Sequence, residues 1–340
     1  MNEVDLSPLK GLKFKCLEGC GFCCTFQPAL KKAEYKFYQN NIRTKNGVVL
    51  GCIKDPTSTE RRSFSLKKGD IGSCIFLEGK KCKIYDIRPR ICREFPIYIS
   101  FNWRIQLDVN MSCRGLWQGE KNRDVYSMGT ELLSTLPINL KRENLYKFGK
   151  VYSNLLKDFN DYIPPLKLRE KLLEYIKNMN IELSQDYENA KEHLKIHLDR
   201  EKFFDLPSYV TKDLRWDFFK FKTDSIQRIQ MNEKGDLGII KSIDFSEIVI
   251  RSISPNAQNL IRDYLKRVVE RDKFICHQYF ISKNISQPLI SSAFTYLKSL
   301  LDLFIMELNM LAAFDNLEID EELVKEGIIL MDGSLVATLY

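Results

Sequence analysis

The sequence predicts an α+β protein in two parts. A small, irregular, metal-stabilised cysteine-rich domain is expected over residues 1–120, and a mostly α-helical domain over residues 121–340. Nine of the ten cysteines lie in the first 113 residues. The same segment is interrupted by glycines and prolines, which end helices and strands. Beyond it, apolar residues recur with the period of amphipathic helices.

Short elements are predicted in the first part. Residues 30–42 are expected to form a helix, because Ala33, Phe37 and Tyr38 roughly follow the helical period. Residues 95–101 and 103–109 are expected to form a β-hairpin. The core of such a unit is small, and bound metal would supply the stability that the core lacks.

Two helices are indicated clearly in the second part. Ser254 and Pro255 predict a helix start, with serine as the N-cap and proline in the first turn. After Pro288, apolar residues recur at i, i+3, i+4 and i+7 as far as Ala312. Residues 236–252 are predicted to add a short strand, because they contain β-branched pairs.

Composition indicates a protein that folds in water. Hydrophobic residues make up 44% of the chain and charged residues 29%, an ordinary globular balance. The most apolar helix, residues 289–314, contains Lys298, Asp302 and Glu307, which a membrane-spanning helix rarely tolerates. Residues 1–13 do not resemble a signal peptide. We therefore expect a cytoplasmic location and no membrane contact.

Positive charge is concentrated in the cysteine-rich part. The formal net charge is +7 for the chain, +9 for residues 1–120 and −2 for the rest. A basic surface is typical of nucleic-acid binding, and Lys80, Lys81 and Lys83 form a basic stretch. No RNA-binding aromatic signature accompanies it, so nucleic acid is not the expected partner. The positive side chains would instead offset metal-bound thiolates.

The cysteines follow metal-ligand spacings. The two groups are Cys16-x3-Cys20-x2-Cys23-Cys24 and Cys74-x7-Cys82-x9-Cys92, with Cys113 downstream. Thiolates are soft ligands that suit both iron–sulfur clusters and zinc. Clustered cysteines in a cytosolic protein indicate metal or redox chemistry before disulfides. Metal binding is therefore predicted, with disulfides or buried free thiols as the alternative.

These motifs resemble the YkgJ-type cysteine-cluster family, often called the putative zinc- or iron-chelating domain. The most specific part is Cys-x-Ile-Tyr-x-x-Arg-Pro-x-x-Cys-Arg-x-Phe-Pro, which residues 82–96 match, and the resemblance covers about the first 117 residues. It implies a metal-binding set made of Cys16, Cys20, Cys23, Cys24, Cys74, Cys82, Cys92 and Cys113. Cys52 and Cys276 lie outside the motif and are interpreted as structural.

Other side chains are weaker candidates. Arg88 and Arg93 flank Cys92 within the family motif, and we predict that they bind the cofactor, offset sulfur charge or hold a substrate carboxylate. Ordinary surface arginines are the alternative. His193 and His197 have a spacing that can bind metal. Their charged neighbours indicate a solvated helix face instead.

The layout of the chain resembles that of flagellin lysine N-methylases, which join an N-terminal cysteine cluster to a long helical region. The resemblance implies S-adenosylmethionine as methyl donor and a protein substrate. The spacing Cys16-x3-Cys20-x2-Cys23 also resembles radical S-adenosylmethionine enzymes, in which three thiolates hold a [4Fe–4S] cluster. Their partial barrel is not expected here, because residues 121–340 are predicted to be helical.

Two functions therefore stay open. One is an enzyme with an iron–sulfur cluster, of the [4Fe–4S] type, acting as a protein lysine N-methyltransferase. The other is a non-enzymatic metal protein, with zinc or a cluster, for metal handling, redox sensing or partner binding. The sequence does not decide between one metal site and two, and it predicts neither a catalytic residue nor an oligomeric state.

Overall fold

Short strands dominate the chain before residue 125, and long helices dominate it after residue 250. The computed structural model describes residues 4–25, 29–30, 32–41, 43–44, 47–48, 52–54, 64–69, 73–118, 123–135, 146, 149–150, 153–154, 156–157, 162–198, 206–232 and 235–339. The predicted α+β class is confirmed.

The elements within these residues are labelled in chain order. The strands are β1 Val4–Asp5, β2 Lys13–Phe14, β3 Ala29–Leu30, β4 Arg43–Thr44, β5 Gly47–Val48, β6 Cys52–Lys54, β7 Phe64–Leu66, β8 Leu77–Glu78, β9 Lys81–Cys82, β10 Ile97–Phe101, β11 Ile105–Val109, β12 Arg123–Asp124, β13 Ser208–Val210, β14 Trp216–Phe221, β15 Ser225–Met231 and β16 Leu237–Asp244. The helices are α1 Lys32–Asn41, α2 Arg90–Glu94, α3 Val125–Thr135, α4 Pro165–Asn178, α5 Tyr187–Glu192, α6 Pro255–Glu270, α7 Asp272–Ile285, α8 Leu289–Asp315 and α9 Glu321–Leu339.

The first part is a group of small sheets. β10 and β11 form the predicted hairpin, in which Ile97 lies opposite Val109, and β1 extends it in parallel beside β11. A second sheet has the order β3-β7-β6, and α1 packs against β6 and β7. The helix predicted over residues 30–42 is therefore confirmed. The pairs β4–β5, β8–β9 and β2–β12 complete this part.

The second part contains more β-structure than the sequence indicated. Strands β13 to β16 form a four-stranded antiparallel sheet in sequential order, whereas only a short strand within 236–252 was predicted. The prediction failed for β14 because five of its six residues are buried, so it lacks the alternation of a one-sided strand. Residues 248–250 were also part of the predicted strand, but they do not form one.

The two predicted C-terminal helices are confirmed. The Ser254 side chain accepts a hydrogen bond from the amide of Ala257 and caps α6, which begins at Pro255. Among the described residues, α8 alone is long and apolar enough to cross a membrane. Two of its polar residues have hydrogen-bond partners inside the fold: Asp302 accepts hydrogen bonds from Ser184, and Asn309 accepts one from the amide of Arg251. This helix is therefore the buried core helix that its pattern predicted.

One hydrophobic core joins residues from both parts of the chain. Leu9, Leu107 and Val109 belong to the same cluster of buried side chains as Val268 of α6 and Phe304 of α8. The predicted boundary near residue 120 stays a prediction about which segments fold independently. In the folded molecule the hairpin β10–β11 packs against the C-terminal helices.

A buried arginine fastens this hairpin to the helices. Arg271, between α6 and α7, pairs with Asp108 of β11 at 3.0 Å and with Asp332 of α9 at 2.7 Å. Asp332 also accepts hydrogen bonds from the Met111 amide and the Tyr264 hydroxyl. Burial raises the pKa of Asp108 to about 6, although the charge of Arg271 opposes this rise. The pairing of Arg271 therefore compensates two carboxylates that water cannot reach.

The interpretation of the histidine pair was wrong for His197. This residue lies in a 3₁₀ segment, His193–His197, rather than on a solvated helix face, and only 1% of it is exposed. Its Nε2 lies 3.4 Å from a carboxylate oxygen of buried Glu307 on α8. The interpretation failed because the charged residues beside the pair were taken as a sign that the histidines themselves face solvent.

We expect Arg271→Ala to lower the free energy of unfolding by about 3–5 kcal/mol, because it leaves Asp108 and Asp332 buried without a counter-charge. Urea denaturation followed by circular dichroism measures this loss. Lys266→Ala is the matched control, since Lys266 pairs with Asp263 on the surface of α6. The control should change stability by less than about 0.5 kcal/mol. Equal effects of the two variants would contradict the role of Arg271.

Candidate metal centre

The first cysteine group lies on a tight loop that two glycines make possible. Gly19 and Gly21 have φ angles of +76° and +58°, in the left-handed region that side chains disfavour. The chain then enters a 3₁₀ turn, Phe22–Thr25, in which the Cys24 amide donates to the Gly21 carbonyl at 2.9 Å. This loop carries Cys16, Cys20, Cys23 and Cys24 into one region.

The second cysteine group is attached directly to the first. The Cys74 amide donates a hydrogen bond to the carbonyl of Cys24 at 2.8 Å. From there the chain forms the β8–β9 hairpin, which ends at Cys82. The carbonyl of Lys80 in this hairpin lies 2.2 Å from the place that a Cβ on Gly21 would occupy. The absence of a side chain at Gly21 therefore permits the loop and the hairpin to touch.

Helix α1 positions the segment that carries Cys92. The Glu34 side chain accepts a hydrogen bond from the amide of Arg90 at 2.7 Å, at the start of α2. The Tyr38 hydroxyl donates to the carbonyl of Ile87. Both contacts hold the Arg-Pro turn of the family motif, so that Cys92 on α2 lies beside the first loop.

Cys113 follows strand β11 and is held by the C-terminal part of the chain. The next residue, Arg114, donates from Nε to the carbonyl of Val210 at 2.8 Å and from Nη1 to Glu326 at 2.8 Å. The cysteine itself immediately precedes a short 3₁₀ turn, Arg114–Leu116. The position of this last cysteine therefore depends on β13 and α9.

All eight predicted cysteines line one or both of two neighbouring cavities. The large cavity, of about 470 Å³, is lined by Cys16, Cys23, Cys24, Cys74, Cys82 and Cys92. The small cavity, of about 50 Å³, is lined by Cys16, Cys20, Cys23, Cys92 and Cys113. No three His, Cys, Asp or Glu side chains among the described residues come close enough to hold one metal ion as they stand. The cysteines surround the two cavities instead of meeting at one point.

The thiols of the large cavity differ in acidity because they share protons. Cys24 donates to Cys23 and Cys82, and these hydrogen bonds lower the pKa of Cys23 and bring that of Cys82 to about 6. The pKa of Cys24 is raised well above its usual range by the same contacts. Burial raises the pKa of Cys74 to about 11. Metal binding would release the retained protons, because only thiolates are strong ligands.

Arg88 lies at the wall of both cavities, held by Tyr85. Its Nε donates to the Tyr85 carbonyl at 2.8 Å, and its guanidinium carbon lies 3.6 Å from the centre of the Tyr85 ring. The Tyr85 hydroxyl in turn lies 3.8 Å from Cys16 Sγ. The charge of Arg88 favours the thiolates of Cys23 and Cys82. The residue is therefore close enough to serve the cofactor role predicted for it.

Arg93 and the two remaining cysteines lie apart from this arrangement. Arg93 is exposed and lines neither cavity. Cys276 lies on α7, far along the chain, and is also absent from both cavity walls. Cys52 lies on β6 opposite Leu66, and its side chain falls outside the described residues. The ligand and cofactor roles of individual residues stay predictions.

The sequence did not indicate which residues of the second part touch the metal centre. Trp216 of β14 donates from Nε1 to the carbonyl of Cys20 at 2.7 Å and packs edge-on against Phe22. Lys80, from the basic stretch, is buried and donates to the carbonyl of Leu214 at 2.8 Å. These contacts join segments about 130–200 residues apart, and no local pattern predicts such pairs.

We expect Gly21→Ala to destabilise the protein more than Gly19→Ala. Both changes place a side chain in the left-handed region, at a cost of about 1–2 kcal/mol. At Gly21 the new Cβ would also collide with the Lys80 carbonyl, whereas at Gly19 nothing lies within 4 Å. Urea denaturation and the tryptophan emission spectrum measure the difference. Equal stability of the two variants would show that loop and hairpin are not in contact.

Comparison with known proteins agrees with this geometry. The CxxCxxCC family, described as “Putative zinc- or iron-chelating domain”, matches residues 15–114, the segment that carries the eight cysteines. The uncharacterized protein MJ0661 of Methanocaldococcus jannaschii is 33% identical over 141 residues, which cover 37% of this chain and 70% of the relative. No solved structure matches the chain. The chain therefore belongs to the family of putative zinc- or iron-chelating cysteine-cluster proteins.

Proposed function

We propose that the large cavity holds an iron–sulfur cluster of the [4Fe–4S] type together with S-adenosylmethionine, and that the protein methylates a lysine of a protein substrate. The observation that carries this proposal is that six cysteines line one cavity of about 470 Å³. The zinc- or iron-chelating class of the domain is consistent with it. A cytoplasmic location belongs to the same proposal, because clusters with an open position are sensitive to oxidation.

The size of the cavity favours a cluster with a ligand over a lone zinc ion. A structural zinc site is closed by four protein ligands and leaves no room beside the ion. Pockets that bind small organic molecules have volumes of ~300–1,000 Å³. The large cavity falls in this range although thiols form much of its wall. The cavity therefore suits a cofactor that is held by several thiolates and that leaves room for a second ligand beside it.

The charges at the wall suit an amino-acid ligand. Arg88 is held by Tyr85 at the cavity, and a guanidinium of this kind binds carboxylates with two parallel hydrogen bonds. Glu18 also lines the cavity and offers a carboxylate to a cationic group. S-adenosylmethionine carries a carboxylate, an ammonium and a sulfonium, so that Arg88 and Glu18 each have a counterpart in this donor.

The proposed reaction needs no further reagent. The lysine ε-amine, after losing its ammonium proton to solvent, attacks the methyl group, the carbon–sulfur bond breaks, and its electrons return to sulfur. The products are methyllysine, S-adenosylhomocysteine and a proton. Bound cluster would supply an iron position that anchors the donor. The chain itself would orient the donor's carboxylate through Arg88 and its cationic groups through Glu18, and no residue is assigned as a general base.

The first test is the metal content of the full chain purified without oxygen. We expect iron and acid-labile sulfide in near-equal amounts, a broad absorption band near ~400 nm, and saturable binding of S-adenosylmethionine by equilibrium dialysis. Cys82→Ser should lose all three, whereas Cys276→Ser should keep them. Zinc without sulfide would overturn the proposal and favour the non-enzymatic metal protein.

Arg88 is tested with a pair of ligands that differ only in the carboxylate. We expect Arg88→Ala to weaken binding of S-adenosylmethionine by about 10-fold or more, because a hydrogen-bonded charge pair contributes ~1.5–3 kcal/mol. Binding of decarboxylated S-adenosylmethionine should change little. Arg90→Ala is the control, since Arg90 pairs with Glu94 and lines neither cavity. Equal weakening of both ligands by Arg88→Ala would show that the residue acts on the fold and not on the carboxylate.

A further inference from the structure

We infer that Cys16, Cys20 and Cys113 form a second metal site in the small cavity, which holds a single ion and is distinct from the centre in the large cavity. Cys23 lies between the two sites and completes the thiolate set of the small one. Nothing in the family description separates the cysteines in this way. The inference stands apart from methyl transfer, since it concerns how many metal centres the chain builds.

The walls of the two cavities divide the cysteines. Cys20 and Cys113 line the small cavity alone, whereas Cys24, Cys74 and Cys82 line the large cavity alone. Two groups of thiols therefore face different spaces, although Cys20 and Cys24 lie on the same loop. The remaining three cysteines, Cys16, Cys23 and Cys92, line both cavities.

The backbone assigns Cys16 to the small site. The amide of Lys15, the residue before Cys16, donates to the carbonyl of Gly115, two residues after Cys113. Cys16 is therefore held beside Cys113, and Cys23 lines the same wall. Cys92 lines both cavities as well.

The small cavity suits a single ion better than a cluster with a ligand beside it. Its volume is about 50 Å³, against about 470 Å³ for the large cavity. Phe14, Phe22 and Phe95 line it beside the thiols, so its walls are mostly apolar. A zinc ion here would need thiolate–zinc distances of ~2.3 Å, so the thiols would draw closer together than they lie in this structure. Such a site is closed by protein ligands and keeps no open position.

The surroundings of the small cavity are those of a structural metal site. Arg114 lines the cavity and offsets thiolate charge while it stays paired with Glu326. The amide of Lys15 donates to the carbonyl of Gly115 at 3.1 Å, which joins the segment before Cys16 to the turn after Cys113. An ion held here would fasten the first cysteine loop to the end of β11. Zinc fits this role, because it prefers four thiolate ligands in a closed tetrahedral site.

The test compares cysteine variants of the full chain, purified without oxygen, by measuring zinc, iron and acid-labile sulfide for each. Cys20→Ser and Cys113→Ser should lose about one equivalent of sulfide-free metal and keep the iron, the sulfide and the ~400 nm band. Cys74→Ser and Cys82→Ser should lose iron and sulfide but keep the sulfide-free metal. Cys276→Ser should keep the sulfide-free metal, the iron and the sulfide, because Cys276 lines neither cavity. Loss of both metals together in every variant of the eight-cysteine set would overturn the inference.

Two further measurements separate this inference from misfolding and from the proposed function. Cys16→Ser is a milder change, since Cys16 is the exposed member of the site. Cobalt titration of metal-free wild-type protein should show one tetrahedral tetrathiolate spectrum that Cys16→Ser alters and Cys74→Ser leaves intact. If the wild type contains no sulfide, the cluster proposal fails, yet independent loss of two metal ions in the two variant groups would still establish two sites. A single metal equivalent in the wild type would refute the second site.

Discussion

The hydrogen bond from the amide of Cys74 to the carbonyl of Cys24 is the contact on which the metal centre depends. It joins two cysteine groups that lie 50 residues apart, and it does so through backbone atoms, so it does not occupy a thiol. The contact requires the loop and the β8–β9 hairpin to lie within van der Waals distance. Only glycine at position 21 permits this approach, because any Cβ there would overlap the Lys80 carbonyl. Backbone packing therefore helps to place the thiols around the two cavities.

Placing eight thiols together creates an electrostatic problem, which the surrounding residues solve. Thiolates repel one another, and burial further disfavours their charge. Arg88 lies at the wall of both cavities, and Arg114 lines the small one. Each is anchored, Arg88 on the Tyr85 ring and Arg114 on Glu326, so that neither loses further side-chain freedom when metal binds. Two of the positive side chains of residues 1–120 therefore lie where they would offset thiolate charge.

The sequence predicted the elements whose residues follow a local rule. Helix α1, the hairpin β10–β11, the Ser254 cap and the core helix α8 are all confirmed, because period, capping and turn chemistry are local properties. The sheet β13–β16 was missed, since a strand such as β14 that is buried on both faces shows no alternation. The contact of Trp216 with Cys20 was equally beyond prediction. It depends on how two distant segments pack.

Local sequence rules also fail to predict how the cysteines of the motif are grouped around the cavities. The eight residues were predicted as one set, and the structure brings all eight to two adjoining cavities. The sequence places Cys23 and Cys24 side by side, yet Cys24 lines the large cavity alone whereas Cys23 reaches both. Spacing along a chain indicates which residues can converge. It does not indicate how many centres they form, because that depends on the direction of each side chain.

The small core of residues 1–120 gives a reason why a metal site closed by four protein ligands would accompany a metal site with an open position. Among the described residues, the buried cluster that lies wholly within this part is small: Leu30, Tyr38, Leu66, Cys74, Phe76 and Ile84. Thiolate sites for zinc contribute ~10–16 kcal/mol to the folding of small domains, as much as the whole net stability of ~5–15 kcal/mol of an ordinary protein. A centre that must leave one position free for a ligand forgoes part of that energy. In the proposed arrangement the ion at Cys20 and Cys113 would stabilise the first loop, and the large cavity could then keep its walls apart around a ligand.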